Sequence, residues 1–149
     1  MKFLCDRMLG TLAKWLRIYG FDTFYASNEM NDDGLIENAK KENRILITRD
    51  KELAQISRRE NLKIIEIKDF NLDNQIRQVL KDVKIEKDNI LTRCLTCNSI
   101  LENIDKNKVK NKIPNGAFQS NDKFWICKKC NKIYWKGSHY DNMLKKIKL

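Results

Sequence analysis

From Lys2 to Val83, short apolar runs alternate with segments of helical period, and this alternation constrains the fold more than any other feature of the chain. Strands are expected over 2–6 (KFLCD), 21–26 (FDTFYA), 44–49 (RILITR) and 63–67 (KIIEI). Helices are expected over 7–19, 32–42, 51–60 and 71–84. Leu9, Leu12, Leu16 and Tyr19 share one face of the first helix, with Gly20 placed to end it. Leu72, Ile76, Val79, Leu80 and Val83 form the matching stripe on the last. Ile45-Leu46-Ile47 is a continuous apolar run, as a strand covered on both faces requires. Strands alternating with helices join through crossovers, so the expected class is α/β with a mainly parallel sheet.

Near residues 85–92 the pattern changes, and four cysteines take over. Cys94-Leu95-Thr96-Cys97 and Cys127-Lys128-Lys129-Cys130 form CxxC pairs separated by 29 residues. Two intervening residues let the backbone turn as a knuckle, so both thiolates reach one ion at about 2.3 Å in tetrahedral geometry. Paired CxxC units point to zinc rather than to disulfides. Four thiolates leave no open coordination position, so the zinc is expected to be structural, within a small ribbon of antiparallel strands. The Lys- and Asn-rich stretch 105–116 is expected as an exposed hairpin or loop. Cys5, inside an apolar strand, reads as a small core residue.

The charge is uneven as well. Residues 1–85 carry 16 Lys+Arg against 14 Asp+Glu, whereas residues 86–149 carry 14 against 6. A basic C-terminal segment attracts polyanions, nucleic acid above all. Tyr134, Trp135, Lys136, His139 and Tyr140 follow the second knuckle. Aromatic rings beside lysines stack on unpaired bases while ammonium groups meet phosphates, although Trp135 fits the ribbon core equally well. No run approaches the roughly 20 apolar residues that cross a bilayer, so no membrane partner is expected. The start, MKFLCDRM, turns acidic too early for a secretory signal, and a cytoplasmic location is expected.

Two strands end on an aspartate: Asp6 closes the first and Asp50 follows the third. In a parallel sheet the loops leaving the C-terminal strand ends gather on one edge, where open α/β sheets bind ligands. Asn31-Asp32-Asp33 follows the second strand, Asp33 and Glu37 share a helix face, and Asp69 follows the fourth strand. Carboxylates are the preferred ligands of Mg²⁺ and Mn²⁺. Helix capping, worth about 1 kcal/mol each, explains Asp6, Asp32 and Asp50 one at a time, but does not explain why they converge. Arg7, Lys14 and Arg17 make a stripe beginning just after Asp6, and Arg49 precedes Asp50. Cations beside an acidic cluster suit a phosphodiester substrate.

FLCDRMLGTLAKWLRIYGFD, ILITRD, the CxxC pairs and the closing YWKGSHYDNM together resemble the PIN-like RNase family called the mut-seven C-terminal RNase domain, over nearly the whole chain. The resemblance implies a PIN-like three-layer domain over residues 1–88 followed by a zinc-ribbon domain over 89–149. It implies Mg²⁺- or Mn²⁺-dependent cleavage of single-stranded RNA. By position, Asp6 and Asp50 match the family's acids at strand ends, and Thr48-Arg49 match the residues preceding the second. The intermediate acid falls at Asp32 or Asp33, with Glu37 as a further choice. The expected enzyme is thus a ribonuclease with Asp6, Asp33 and Asp50 as metal ligands. Its RNA contacts would come from Arg7, Lys14, Arg17, Thr48, Arg49, Lys136, His139 and Tyr140. The alternative is a non-catalytic RNA-binding module of a ribosomal or tRNA-processing complex. A phosphatase or nucleotide hydrolase ranks last, because no Gly-rich phosphate loop is present.

Overall fold

The computed structural model describes residues 1–146. It contains two compact units, Met1–Asn98 and a second from Ser99 onward. In the first, strands β1 (Lys2–Cys5), β2 (Asp22–Tyr25), β3 (Ile45–Thr48) and β4 (Ile64–Glu66) alternate with helices α1 (Gly10–Ile18), α2 (Asp32–Glu42), α3 (Lys51–Arg59) and α4 (Leu72–Leu80). All four strands are parallel, in the order β2-β1-β3-β4. Successive side chains of a strand point to opposite faces, and both faces here are covered. Leu4 and Leu46 pack with Leu35, Ile36, Ala39 and Leu53 of α2 and α3. α1 packs against β1, β2 and α4, burying Leu12, Leu16 and Ile18. Cys5 is fully buried, and burial pushes its thiol pKa up to about 12, so it acts as an apolar core group.

The strand order places the topological switch between β1 and β3. From β1 the chain passes outward to β2, then returns across β1 to form β3 on its other side. The loops after β1 and β3 therefore diverge, leaving a crevice between their C-terminal ends. Asp6 and Asp50 stand at those two ends.

The segment expected as one helix over 7–19 begins as a 3-10 turn, Arg7–Leu9, before α1. Gly20 ends α1 at φ +94°, and a Cβ there would lie 2.3 Å from the Asn89 carbonyl oxygen. Only glycine meets both conditions. Residues 90–98 are bonded to α1, β2 and the turn between them. Leu91 N–H donates to Ile18 C=O, Arg93 Nε to Gly20 C=O, and Thr23 N–H to Asn98 Oδ1.

The second unit has an antiparallel sheet of β5 (Glu102–Ile104), β6 (Phe124–Ile126) and β7 (Ile133–Tyr134), with helices α5 (Lys106–Val109), α6 (Asn115–Ser120) and α7 (Ser138–Lys146). The stretch 105–116 is not simply a hairpin or loop: it winds α5 and enters α6. Val109, fully buried, gives that polar stretch an apolar anchor. Phe124 forms the centre of the small core, with the rings of Phe118 and Trp135 each 6.5 Å away. Trp135 thus takes the core role that its spacing allowed.

Candidate functional site

Each acid on the C-terminal edge is held by its own local structure. Asp6, 6% exposed, caps the 3-10 turn by accepting from Arg7 N–H through Oδ1 at 2.6 Å. Its Oδ2 accepts from the Thr48 hydroxyl at 2.9 Å. That hydroxyl in turn accepts from Asp50 N–H at 3.0 Å. One buried threonine therefore ties the first aspartate to the backbone of the second. Asp50 caps α3, its Oδ1 accepting from the N–H groups of Glu52 and Leu53. Among the described residues no hydrogen bond takes up Asp50 Oδ2.

Asp32 differs from both. Asn31 is the residue that caps α2, accepting from Gly34 N–H at 2.8 Å, so capping makes no use of the Asp32 carboxylate. Its pKa is raised, by burial first and then by the charges of Asp50 and Asp6, with Glu52 adding to them and Arg7 opposing. Asp6 follows β1, Asp50 follows β3, and Glu52 lies in the first turn of α3. Asp33 and Glu37 are exposed on α2, and the charges acting most on Asp32 come from across the crevice. Of the acids considered for the intermediate position, Asp32 is the least exposed. Glu52 was not anticipated. Its only signal was its place in the first turn after Asp50.

The cations divide into two kinds. Arg7 and Lys14 are exposed, and Arg7 Nη1 donates to Asn28 C=O at 3.3 Å. Arg49 lies over the ring of Phe70, 3.6 Å from its centroid. Arg17, expected on the same solvated stripe as Lys14, is instead 7% exposed. Its guanidinium donates to the carbonyls of Thr23, Leu95 and Thr96 at 2.9–3.2 Å. Those carbonyls take up Nε and Nη1, so Arg17 is built into the fold instead of lying on the solvated stripe. Thr48, also expected to touch RNA, is fully buried and holds the aspartates instead. In the second unit Lys136 Nζ sits 5.3 Å from the Trp125 ring centroid and 4.9 Å from that of Tyr140, while His139 is exposed on α7.

The sulfurs of Cys94, Cys97, Cys127 and Cys130 all lie within 4.8 Å of one another. Tetrahedral zinc with bonds of about 2.3 Å sets its sulfurs about 3.8 Å apart, so this donor set fits zinc. The two knuckles are built alike. An asparagine follows the second cysteine of each, Asn98 at φ 72° and Asn131 at φ 58°. The amide of each donates to the carbonyl of the first cysteine, at 2.9 and 2.7 Å. Asparagine tolerates this left-handed conformation better than most residues, which gives the repeated CxxCN a physical reason. Among the described residues, this is the one group of three or more ligand side chains gathered so tightly.

The fold defines a four-stranded parallel α/β domain with Asp6 and Asp50 at the strand ends beside its switch point, in a chain whose four cysteines form a donor set that fits a metal. The chain belongs to the Mut7-C RNAse domain family, whose model matches residues 1–147. Its function is accordingly of the ribonuclease type, with RNA as substrate or partner. No curated protein matches the chain. No helix among the described residues is long and apolar enough to cross a membrane.

Proposed function

We propose that this chain is a divalent-metal-dependent endoribonuclease of single-stranded RNA, with Asp6, Asp32 and Asp50 as ligands and Glu52 as a fourth acid. The observation that supports this reading is the Thr48 hydroxyl, which donates to Asp6 Oδ2 and accepts from Asp50 N–H, tying together the acids at the ends of β1 and β3. Asp32 is included because Asn31, not Asp32, caps α2 and leaves its carboxylate without a capping role. Mg²⁺ or Mn²⁺ bound there supplies a nucleophilic water near neutral pH and neutralises charge developing on the phosphate. Thr48 holds Asp6 and the start of α3 in register, so that the ligands are oriented before substrate arrives. Arg7, Lys14 and Arg49 meet the phosphodiester backbone. The N-terminal part performs the chemistry, and the zinc-ribbon part, through Lys136, His139 and Tyr140, positions the strand.

Labelled single-stranded RNA incubated with Mn²⁺ tests this. The wild type should cleave it, while Asp6→Asn and Asp50→Asn should each lose about 10²-fold or more in kcat. Equal cleavage by all three would refute the assignment.

A non-catalytic RNA-binding role draws support from the +8 balance of residues 86–149. It predicts salt-dependent binding that survives both substitutions, with no metal-dependent turnover.

A further inference from the structure

Five large apolar side chains are exposed among the described residues, and three of them crowd one edge. Met8 follows β1, Tyr25 ends β2, and Phe70 lies just beyond β4, all at the C-terminal edge that carries the acids. Phe70 is the most exposed of the five, at 83%. A single exposed phenylalanine needs no explanation by itself. This one, however, is held in place. The Arg49 guanidinium lies 3.6 Å from its ring centroid, which restrains the ring and covers one face. At its base the loop is fixed by Asp69, whose carboxylate accepts from Asn71 N–H and from Asn74 Nδ2, both at 2.8 Å. Next to it, a cavity of about 480 Å³ is lined by Arg49, Lys51, Glu66, Ile67 and Lys68, three cations against one acid.

We propose that Phe70 is a stacking platform for an unpaired base of single-stranded RNA, with Arg49, Lys51 and Lys68 meeting the adjoining phosphates. A restrained ring with one free face, beside a cationic hollow, matches what such RNA presents: a flat base next to a charged backbone. A duplex would offer stacked and inaccessible bases, so the platform also favours single strands over paired ones. Its substrate class rests on the ribonuclease reading, but its binding role does not require turnover.

The full-length, zinc-loaded chain should be titrated with a fluorescent oligouridylate without added Mg²⁺ or Mn²⁺ and without chelator. Phe70→Ala is expected to weaken binding about 5- to 100-fold. Phe70→Trp and Phe70→Tyr should stay within about two-fold of the wild type, since each keeps a π-face. Phe70→Leu should behave like Phe70→Ala, because bulk without a ring does not stack. Against an oligomer of abasic residues with the same number of phosphates, wild type and Phe70→Ala should bind alike. Unchanged affinity in Phe70→Ala, or full rescue by leucine, would overturn the proposal. The two readings fail separately. If the wild type does not cleave RNA with Mn²⁺ while Phe70→Ala still loses affinity, catalysis falls and the platform stands. If cleavage is intact and Phe70→Ala leaves both affinity and KM unaltered, the platform falls and catalysis stands.

Discussion

Two aspartates near opposite ends of the parallel sheet, Asp22 and Asp32, meet opposite surroundings. At the end where β2 begins, every buried charge meets a counterpart. Arg44 bonds Asp22 at 2.7 Å, Asn98 Nδ2 bonds the same carboxylate, and Arg17 spends its guanidinium on three carbonyls. Burial would raise the Asp22 pKa, but the hydrogen bonds from Arg44 and Asn98 and the charge of Arg44 overcome it, and the net direction is down. At the C-terminal edge the Asp32 pKa is raised, by burial first and then by the charges of Asp50 and Asp6. Asp22 in β2 and Asp32 at the start of α2 are thus pushed in opposite directions. A paired end holds the fold together.

Removing the pairing at the first end should do the most damage. Arg17→Met leaves three carbonyls short of a donor and should cost about 3 kcal/mol in urea denaturation. RNA cleavage per folded molecule should persist, because Arg17 acts on residues 95–96 and not on substrate. Lys14→Ala, one turn away and exposed, should show the converse: weaker RNA binding and little change in stability.

Asp22→Asn should cost about 1–2 kcal/mol at neutral pH. Its pH dependence follows from the sign of the shift. A carboxylate whose folded pKa is depressed contributes stability above its unfolded value of about 3.9 and loses it as pH falls through the lower folded value. The wild type should therefore lose stability faster than Asp22→Asn as pH is taken below about 4.

Thr48→Val keeps the shape of the side chain and removes the bridge between Asp6 and Asp50. It should lower Mn²⁺ affinity about 10-fold, while the circular dichroism spectrum stays that of the wild type.

Asp32→Asn should have the smallest effect on stability and the opposite sign from Asp22→Asn: a gain of up to about 0.5 kcal/mol in metal-free protein. Because the native state holds the proton more tightly, wild-type stability should fall as pH rises from the ordinary carboxylate value through the raised one. Asp32→Asn should flatten that slope in thermal melts.

The sequence made the sheet legible because each strand is a compact apolar run and each helix carries a clear stripe; α2, expected over 32–42, runs from Asp32 to Glu42. The cysteine spacing gave the metal module for the same reason, since four identical ligands at knuckle spacing have few other uses. What escaped depended on partners distant in the chain. Arg17 looks like any solvated helix cation until the carbonyls of residues 95 and 96 come to meet it. Asp32 and Asp33 differ in sequence by one step. Only the folded chain shows that Asn31 caps α2 and that Asp32 is the less exposed of the two. Phe70 gave no periodic signal, because its neighbour across the edge is Arg49, 21 positions earlier.

Direct measurement of Mn²⁺ binding compares the two ends most simply. Free Mn²⁺ should be quantified by electron paramagnetic resonance during titration of the zinc-loaded wild type, Asp22→Asn, Asp6→Asn and Asp50→Asn. The account predicts that wild type and Asp22→Asn withdraw Mn²⁺ from solution equally well, and that Asp6→Asn and Asp50→Asn each bind it at least about 10-fold more weakly. Equal binding by all four proteins, or a loss confined to Asp22→Asn, would contradict it.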